Sequence, residues 1–296
     1  MRIADIVRLI VLAAIWGASF LFIRMAVPAL GAAWLTELRA GIAAAAMLAY
    51  ARAIGFDFKV RRNLHAYLVI GAFSTALPWS MFAYAGHYIN ASYLSILNAS
   101  TPWFGAICGA LWLGEPLTAR MSLGLALGVA GVALMVGFGP IEVTPEVILS
   151  AALCFGGAAC YALAGTYMKK RASGIAPFAV SAGSLFTASL MLLPFLPGLP
   201  APEVFTWKVT VAVLGISLLG GAAAFPLYFR LMSDVGPTKT LTVTFLIPLF
   251  GVLWGVVFLD EELRMAIVVG CALVLGGTAL VVRPARTGQR PQAFLN

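Results

Sequence analysis

The sequence predicts an all-α integral membrane protein of ten transmembrane helices, arranged as two repeats of five. One observation is composition: 62% of the 296 residues are hydrophobic, 10% are charged, and the mean hydropathy is +0.99. Soluble domains are only about 45–50% apolar. The other observation is internal similarity, because residues 248–282 repeat residues 102–136 at a fixed offset (248 − 102 = 146).

The charged residues divide the chain into segments of the length that a membrane helix needs. A hydrocarbon core about 30 Å thick takes about 20 apolar residues per helix. The predicted spans are 6–26, 31–51, 66–88, 90–113, 119–137, 147–168, 176–197, 209–230, 238–259 and 265–282. The first could also be a secretory signal peptide, since Arg2 and Arg8 precede it. Its continuation to Ala26 favours a spanning helix.

The basic residues are distributed unequally between the two sides of this arrangement. Fifteen of the 19 lysines and arginines fall on the side that holds both termini; the others are Arg24, Lys208, Arg264 and, within a span, Arg39. The positive-inside rule therefore predicts cytoplasmic termini. The net charge of +8 indicates topology, and we expect no nucleic-acid partner.

The repeat decides the architecture. Fourteen of the 35 aligned pairs are identical, including Pro102 with Pro248 and Glu115 with Glu261. The match extends more weakly towards the front of each half, where Trp16 falls opposite Tyr161 at an offset of 145 (161 − 16 = 145). Five spans is an odd number, so the second repeat is predicted to be inverted, as in secondary transporters. The predicted units are residues 1–138 and 139–283, followed by a disordered cytoplasmic tail, 284–296.

Several motifs resemble those of the drug/metabolite transporter superfamily, in its ten-helix EamA-type branch. They are WGASFLFIRMAVP (16–28), TELRAG (36–41), LNASTPWFGAICGALWLGE (97–115) and TFLIPLFGVLWGVVFLDEEL (244–263). The chain is similar to bacterial exporters of amino acids, including aromatic ones, and of other metabolites. The resemblance implies the bacterial inner membrane and a basket-like bundle around a central cavity, with the fifth and tenth helices peripheral.

Polar and aromatic side chains within the spans are candidates for lining that cavity. The predicted set is Trp16, Ser19, Trp79, Ser80, Tyr84, Asn98, Thr101, Trp103, Tyr161, Tyr228 and Thr244. Asn98 and Thr101 are the leading candidates for hydrogen bonding to a substrate, with bonding between helices as the alternative. For each aromatic ring, packing within the bundle or against lipid is the alternative.

Four prolines interrupt spans and are predicted hinges, or else static kinks: Pro78, Pro102, Pro226 and Pro248. Glu37 and Arg39 are charged residues well inside a span. One interpretation is an ion pair, with Arg24 as a partner for Glu37; the other is that Glu37 couples transport to protons.

The function predicted is export of small neutral or zwitterionic metabolites, most readily amino acids, by alternating access. Broad drug efflux is the second option. An intramembrane enzyme is disfavoured, because no span carries a catalytic constellation. The four cysteines and two histidines lack metal-site spacing. We expect no metal, no cofactor, a small-molecule substrate, contact with the lipid bilayer, and a monomer.

Overall fold

The chain is a bundle of helices in the part that the computed structural model describes, residues 3–114, 117–139, 141–200, 202, 205–235 and 243–282. The predicted all-α membrane class is confirmed. The helices are α1 (Ile3–Ala53), α2 (Val60–Ala85), α3 (Ala91–Leu113), α4 (Ala119–Phe138), α5 (Pro145–Arg171), α6 (Pro177–Gly198), α7 (207–235), α8 (Val243–Leu259) and α9 (Met265–Val282).

Five of these helices are long and apolar enough to cross a membrane, judged by length and composition: α1, α2, α3, α5 and α6. The apolar helical segments in the other four are shorter than 18 residues by the same measure. The first two predicted spans lie in one helix, α1, which is interrupted at Gly31. Gly31 has φ 71° and ψ 164°, a conformation that side chains with a Cβ rarely adopt. The predicted connection at 27–30 is thus helical, and the interruption falls at Gly31, the first residue of the predicted second span.

Wide helical turns precede a proline in both α2 and α7. Residues Ala72–Ala76 of α2 and Gly215–Ala223 of α7 are π-helical, and Pro78 and Pro226 follow within three residues. Proline lacks the N–H that an α-helix needs and its ring crowds the preceding turn. A π-helical turn is one local arrangement that absorbs such a disruption. Both interruptions lie inside their helices.

The third helix, α3, is broken where its polar run lies. Its two parts, Ala91–Asn98 and Thr101–Leu113, are separated by Ala99 and Ser100. The Ser100 hydroxyl donates to the Leu97 carbonyl at 2.7 Å, and the Thr101 hydroxyl donates to the Asn98 carbonyl at 2.8 Å. Side-chain hydroxyls therefore bond to carbonyls at the break.

Helices α4 and α9 pack antiparallel along glycines. Gly124 lies against the carbonyl of Gly277, and Gly131 lies against the carbonyl of Gly270, so closely that a Cβ at any of the four would clash. Small residues allow membrane helices to approach at the backbone. In the repeat alignment, Gly124 is equivalent to Gly270 and Gly131 is equivalent to Gly277. The contact between Gly124 and Gly277 is therefore equivalent to the contact between Gly270 and Gly131. This reciprocity is the mark of a two-fold contact.

We predict that Gly277→Val destabilises the protein by about 1–3 kcal/mol, because its side chain would overlap the Gly124 carbonyl. The matched control is Gly276→Val, since nothing lies within 4 Å of a Cβ placed at the neighbouring glycine. Thermal unfolding of both variants in detergent is the measurement. Equal melting temperatures for the two variants would contradict the proposed close packing.

Candidate functional site

The indole of Trp16 lies at mid-length of the first part of α1 and faces α7. Its ring centroid is 5.4 Å from that of Tyr228 and 6.4 Å from that of Phe225. Its Nε1 donates to the carbonyl of Gly220 at 3.3 Å, within the π-helical segment. Trp16 thus combines a ring contact with a hydrogen bond to irregular backbone.

Tyr161 on α5, which aligns with Trp16, makes the corresponding contact with α2 of the first half. Its ring stacks on Phe82 of α2, with centroids 6.3 Å apart, and it packs against the cluster that contains Trp79. These α2 residues are the repeat equivalents of the two α7 residues beside Trp16 (225 − 79 = 146; 228 − 82 = 146). The aromatic residue on the first helix of each half therefore packs on the third helix of the other half.

Ser19 lies one turn from Trp16 and faces the same π-helical segment. Its Oγ atom is buried without a hydrogen-bond partner among the described residues, and a Cβ on Gly220 would lie 2.9 Å from it. A buried hydroxyl without a partner carries a desolvation cost. It is therefore a group that a ligand or a rearranged backbone could satisfy.

Arg39 stacks on an aromatic ring instead of pairing with an acid. The guanidinium carbon lies 3.6 Å from the ring centroid of the buried Trp79, which is a cation–π geometry. Its Nε atom is buried and has no hydrogen-bond partner within the part of the chain that the structure describes. The side chain as a whole is half-buried.

Glu37 and Arg24 have separate partners. One oxygen of Glu37 accepts a hydrogen bond from Ser189 of α6 at 2.6 Å, while the other, Oε2, is buried with no partner among the described residues. Arg24 donates to the carbonyls of Gly86 and His87, at 2.7 and 3.1 Å. Across the described ranges, no salt bridge joins Glu37 to an arginine. The predicted ion pair is replaced by bonds to a hydroxyl and to backbone.

Trp103, predicted to line the cavity, lies in a packed interface. Its ring covers Gly128 of α4, and its Nε1 donates to Thr278 of α9 at 3.0 Å. Thr278 in turn donates to the Ala99 carbonyl at the break of α3. The side chain is 3% exposed. The geometry is that of a structural anchor between three helices.

The other predicted residues are spread along α2, α3 and α8. Ser80 donates to the Ala76 carbonyl of the π-helical segment at 2.8 Å, and Tyr84 packs against Tyr88 with centroids 5.5 Å apart. Asn98 is half-buried at the break of α3, and Thr244 is half-buried near the start of α8. Of the predicted hinges, Pro102 begins the second part of α3, and Pro248 lies within α8.

An open cavity of about 860 Å³ lies between the start of α2, the ends of α3 and α5, and the start of α6. Its lining mixes basic, polar and aromatic side chains: Lys59, Arg62, Asn63, His65, Trp112, Tyr167 and Arg171, among others. Phe58 of this lining and the neighbouring Phe178 stack at 6.2 Å and pack against the cluster that contains Trp79. Sequence reasoning missed this cavity.

Glu261 caps the N-terminus of α3, although the two are far apart in the sequence. Its carboxylate accepts from the backbone N–H groups of Ala91 and Ser92, at 2.7 and 3.1 Å, and from the Ser92 hydroxyl at 2.5 Å. These are the free donors at the N-terminus of α3. The repeat alignment pairs Glu261 with Glu115, and this identity was a signal for a structural role that sequence reasoning did not use. Glu115 itself lies outside the described residues.

These features define a class: a polytopic membrane protein with two sequence repeats and with buried polar groups that have no partner among the described residues. The EamA-like transporter family model matches residues 5–137 and again residues 148–283. The chain belongs to this family, which confirms the resemblance found in the sequence.

Curated relatives match the chain at low identity. The chain is 27% identical to the uncharacterized transporter YvbV of Bacillus subtilis, over 75% of this chain and 73% of that one. It is 26% identical to a probable terminal-alkyne amino-acid exporter of Streptantibioticus cattleyicolor, over 99% and 98%. One solved crystal structure matches with a TM-score of 0.66 at 18% identity, covering 95% of this chain and 96% of that chain, which concerns the fold alone.

We predict that Glu261→Ala lowers stability by about 1–2 kcal/mol, because three donors at the start of α3 lose their acceptor. Thermal unfolding in detergent measures the effect. Glu262→Ala is the control, since this neighbouring exposed carboxylate bonds only to Arg264 among the described residues. A loss as large in Glu262→Ala as in Glu261→Ala would contradict the capping role.

Proposed function

We propose that this protein is a secondary transporter that exports small neutral or zwitterionic metabolites, amino acids foremost, by alternating access. The observation that carries the proposal is the reciprocal contact of Trp16 and Tyr161 with the third helix of the opposite half. Such contacts support a binding site between the two halves. A site at the interface of repeats can open to either side as the halves rock against each other.

Ten spans in two inverted repeats are part of this proposal. Two family matches of similar length, the reciprocal glycines of α4 and α9, and the π-helical segments in α2 and α7 all support it. The charge distribution supports cytoplasmic termini in a bacterial inner membrane. The units remain residues 1–138 and 139–283, and the carrier is proposed to act as a monomer, without enzymatic activity.

The chemistry at mid-depth supports the substrate class. Aromatic rings near Trp16 offer an apolar surface, while the Ser19 hydroxyl and the half-buried Asn98 offer hydrogen bonds. A relative that is named as a probable amino-acid exporter supports the same class. Broad efflux of drugs is the second candidate, favoured by the aromatic content of the cluster around Trp16 and Trp79.

Uptake of labelled amino acids into proteoliposomes tests the proposal. We expect at least one neutral amino acid to cross faster than in empty liposomes, with apolar and aromatic ones preferred. Trp16→Ala and Asn98→Ala should reduce transport of some substrates more than others, whereas the packing variant Trp103→Ala should reduce all of them together. If no amino acid is transported but lipophilic cations are, the drug-efflux alternative replaces the amino-acid assignment.

We further propose that Glu37 is the proton-coupling group. A carboxylate that is buried without an ion pair is costly when charged, and a proton removes that cost. Its free Oε2 atom and its bond to Ser189 support this role.

Glu37→Gln should therefore transport its substrate at a rate that no longer responds to an imposed proton gradient. Glutamine keeps the shape of the side chain and the bond from Ser189 but cannot titrate. Glu262→Gln is the control, because that residue is exposed, and it should keep the response of the parent protein. An unchanged pH dependence in Glu37→Gln would eliminate the coupling role.

A further inference from the structure

Arg39 lies in the second part of α1, and no carboxylate among the described residues neutralises its positive charge. Within the described residues, no carboxylate lies within salt-bridge distance of its guanidinium, and its buried Nε atom has no acceptor. Glu37, two positions earlier, is bonded to Ser189 instead. A cation at this depth is expensive unless it faces a polar space or an anion.

The face of α1 that carries Arg39 points into the bundle. Leu35, Thr36 and Ala43 lie three or four positions away, on the same face of the helix, and all three are buried, at 0–1% exposure. Arg39 itself keeps partial exposure, as does Ile42, three positions later. The guanidinium of Arg39 lies over the ring of Trp79, which is buried in the bundle, so this part of the side chain is turned towards protein and not towards lipid.

The surroundings of Arg39 select for one kind of anion. Trp79 covers one face of the guanidinium, and the hydroxyl of Tyr161 lies beside the same ring. Phe225 packs against the cluster that contains Trp79 and lies beside Trp16. A ligand here would meet one planar fork of N–H donors and a wall of aromatic and small apolar side chains.

We propose that Arg39 binds the carboxylate of the transported molecule, whose apolar part lies against the aromatic residues around Trp16 and Trp79. An arginine fork pairs with a planar carboxylate through two parallel hydrogen bonds. The assignment rests on the proposed function and narrows its substrates to small carboxylates with an apolar side chain. Molecules of the same shape that carry an amide in place of the carboxylate are excluded.

Ligand-dependent thermal stabilisation of the purified protein tests the assignment without requiring transport. The probes are acetate, 3-phenylpropionate and phenylalanine, each compared with its amide, and with chloride at equal ionic strength. A ligand that binds the folded state raises the melting temperature. We expect the parent protein to be stabilised by at least one carboxylate and not by the matching amide or by chloride.

In Arg39→Gln the concentration of carboxylate needed for half-maximal stabilisation should rise by about ten- to a hundredfold, the range expected for losing a charged hydrogen-bond pair. Arg39→Lys keeps the charge but lacks the fork, so it should retain part of the affinity. The matched control is Arg120→Gln on α4, whose guanidinium donates to the Leu280 carbonyl. It should bind the carboxylate like the parent protein.

Two outcomes overturn the assignment: a parent protein that no carboxylate probe stabilises, and an Arg39→Gln variant that binds carboxylate as the parent does. If Arg39→Gln does not fold, a carboxylate affinity in Arg39→Lys that is clearly weaker than that of the parent protein still supports the assignment, and an affinity equal to that of the parent contradicts it. Carboxylate-dependent stabilisation without any transport into proteoliposomes would instead contradict the proposed function and leave the anion site in place.

Discussion

Reciprocal packing between the two halves of the chain positions the other groups of the candidate site. Trp16 of the first half contacts Phe225 and Tyr228, and Tyr161 of the second half contacts Trp79 and Phe82. Because Trp79 also lies under Arg39, one of these contacts fixes the cation. The other holds the Gly220 carbonyl through the indole of Trp16. A movement of one half against the other would therefore change both sets of contacts together.

Irregular backbone accompanies these contacts. Inside a membrane protein, backbone that leaves regular helical geometry is tolerated where it is covered by protein or lines a polar space. The π-helical segments before Pro78 and Pro226, and the break of α3 at Ala99 and Ser100, meet this condition, since hydroxyls and an indole bond to their carbonyls. The same carbonyls could bond to a substrate after a small shift of the side chains. Irregular geometry and candidate binding groups thus coincide along the chain.

Apolar length, charge distribution and internal similarity were sufficient to predict the helical membrane class and the position of most helices, because length and apolarity determine those features. The family was predicted from the resemblance of motifs such as TELRAG (36–41). Internal similarity also identified the glycines at which α4 and α9 meet, although not the contact itself. The partners of individual side chains were harder to predict. Trp103 serves packing, Arg24 bonds to backbone, and Glu261 caps a helix 170 residues away. Such pairings depend on helix rotation and crossing, which a single sequence does not fix.

The inverted arrangement of the halves is the central claim, and labelling of single cysteines from either side of the membrane tests it most directly. In a protein whose four native cysteines are replaced, Asp57→Cys marks the connection between the second and third spans of the first half, and Phe205→Cys marks the equivalent connection of the second half. Both positions are exposed. Inversion predicts that an impermeant thiol reagent labels Phe205→Cys from outside the cell and Asp57→Cys only after the membrane is opened. Labelling of both positions from the same side would contradict the account.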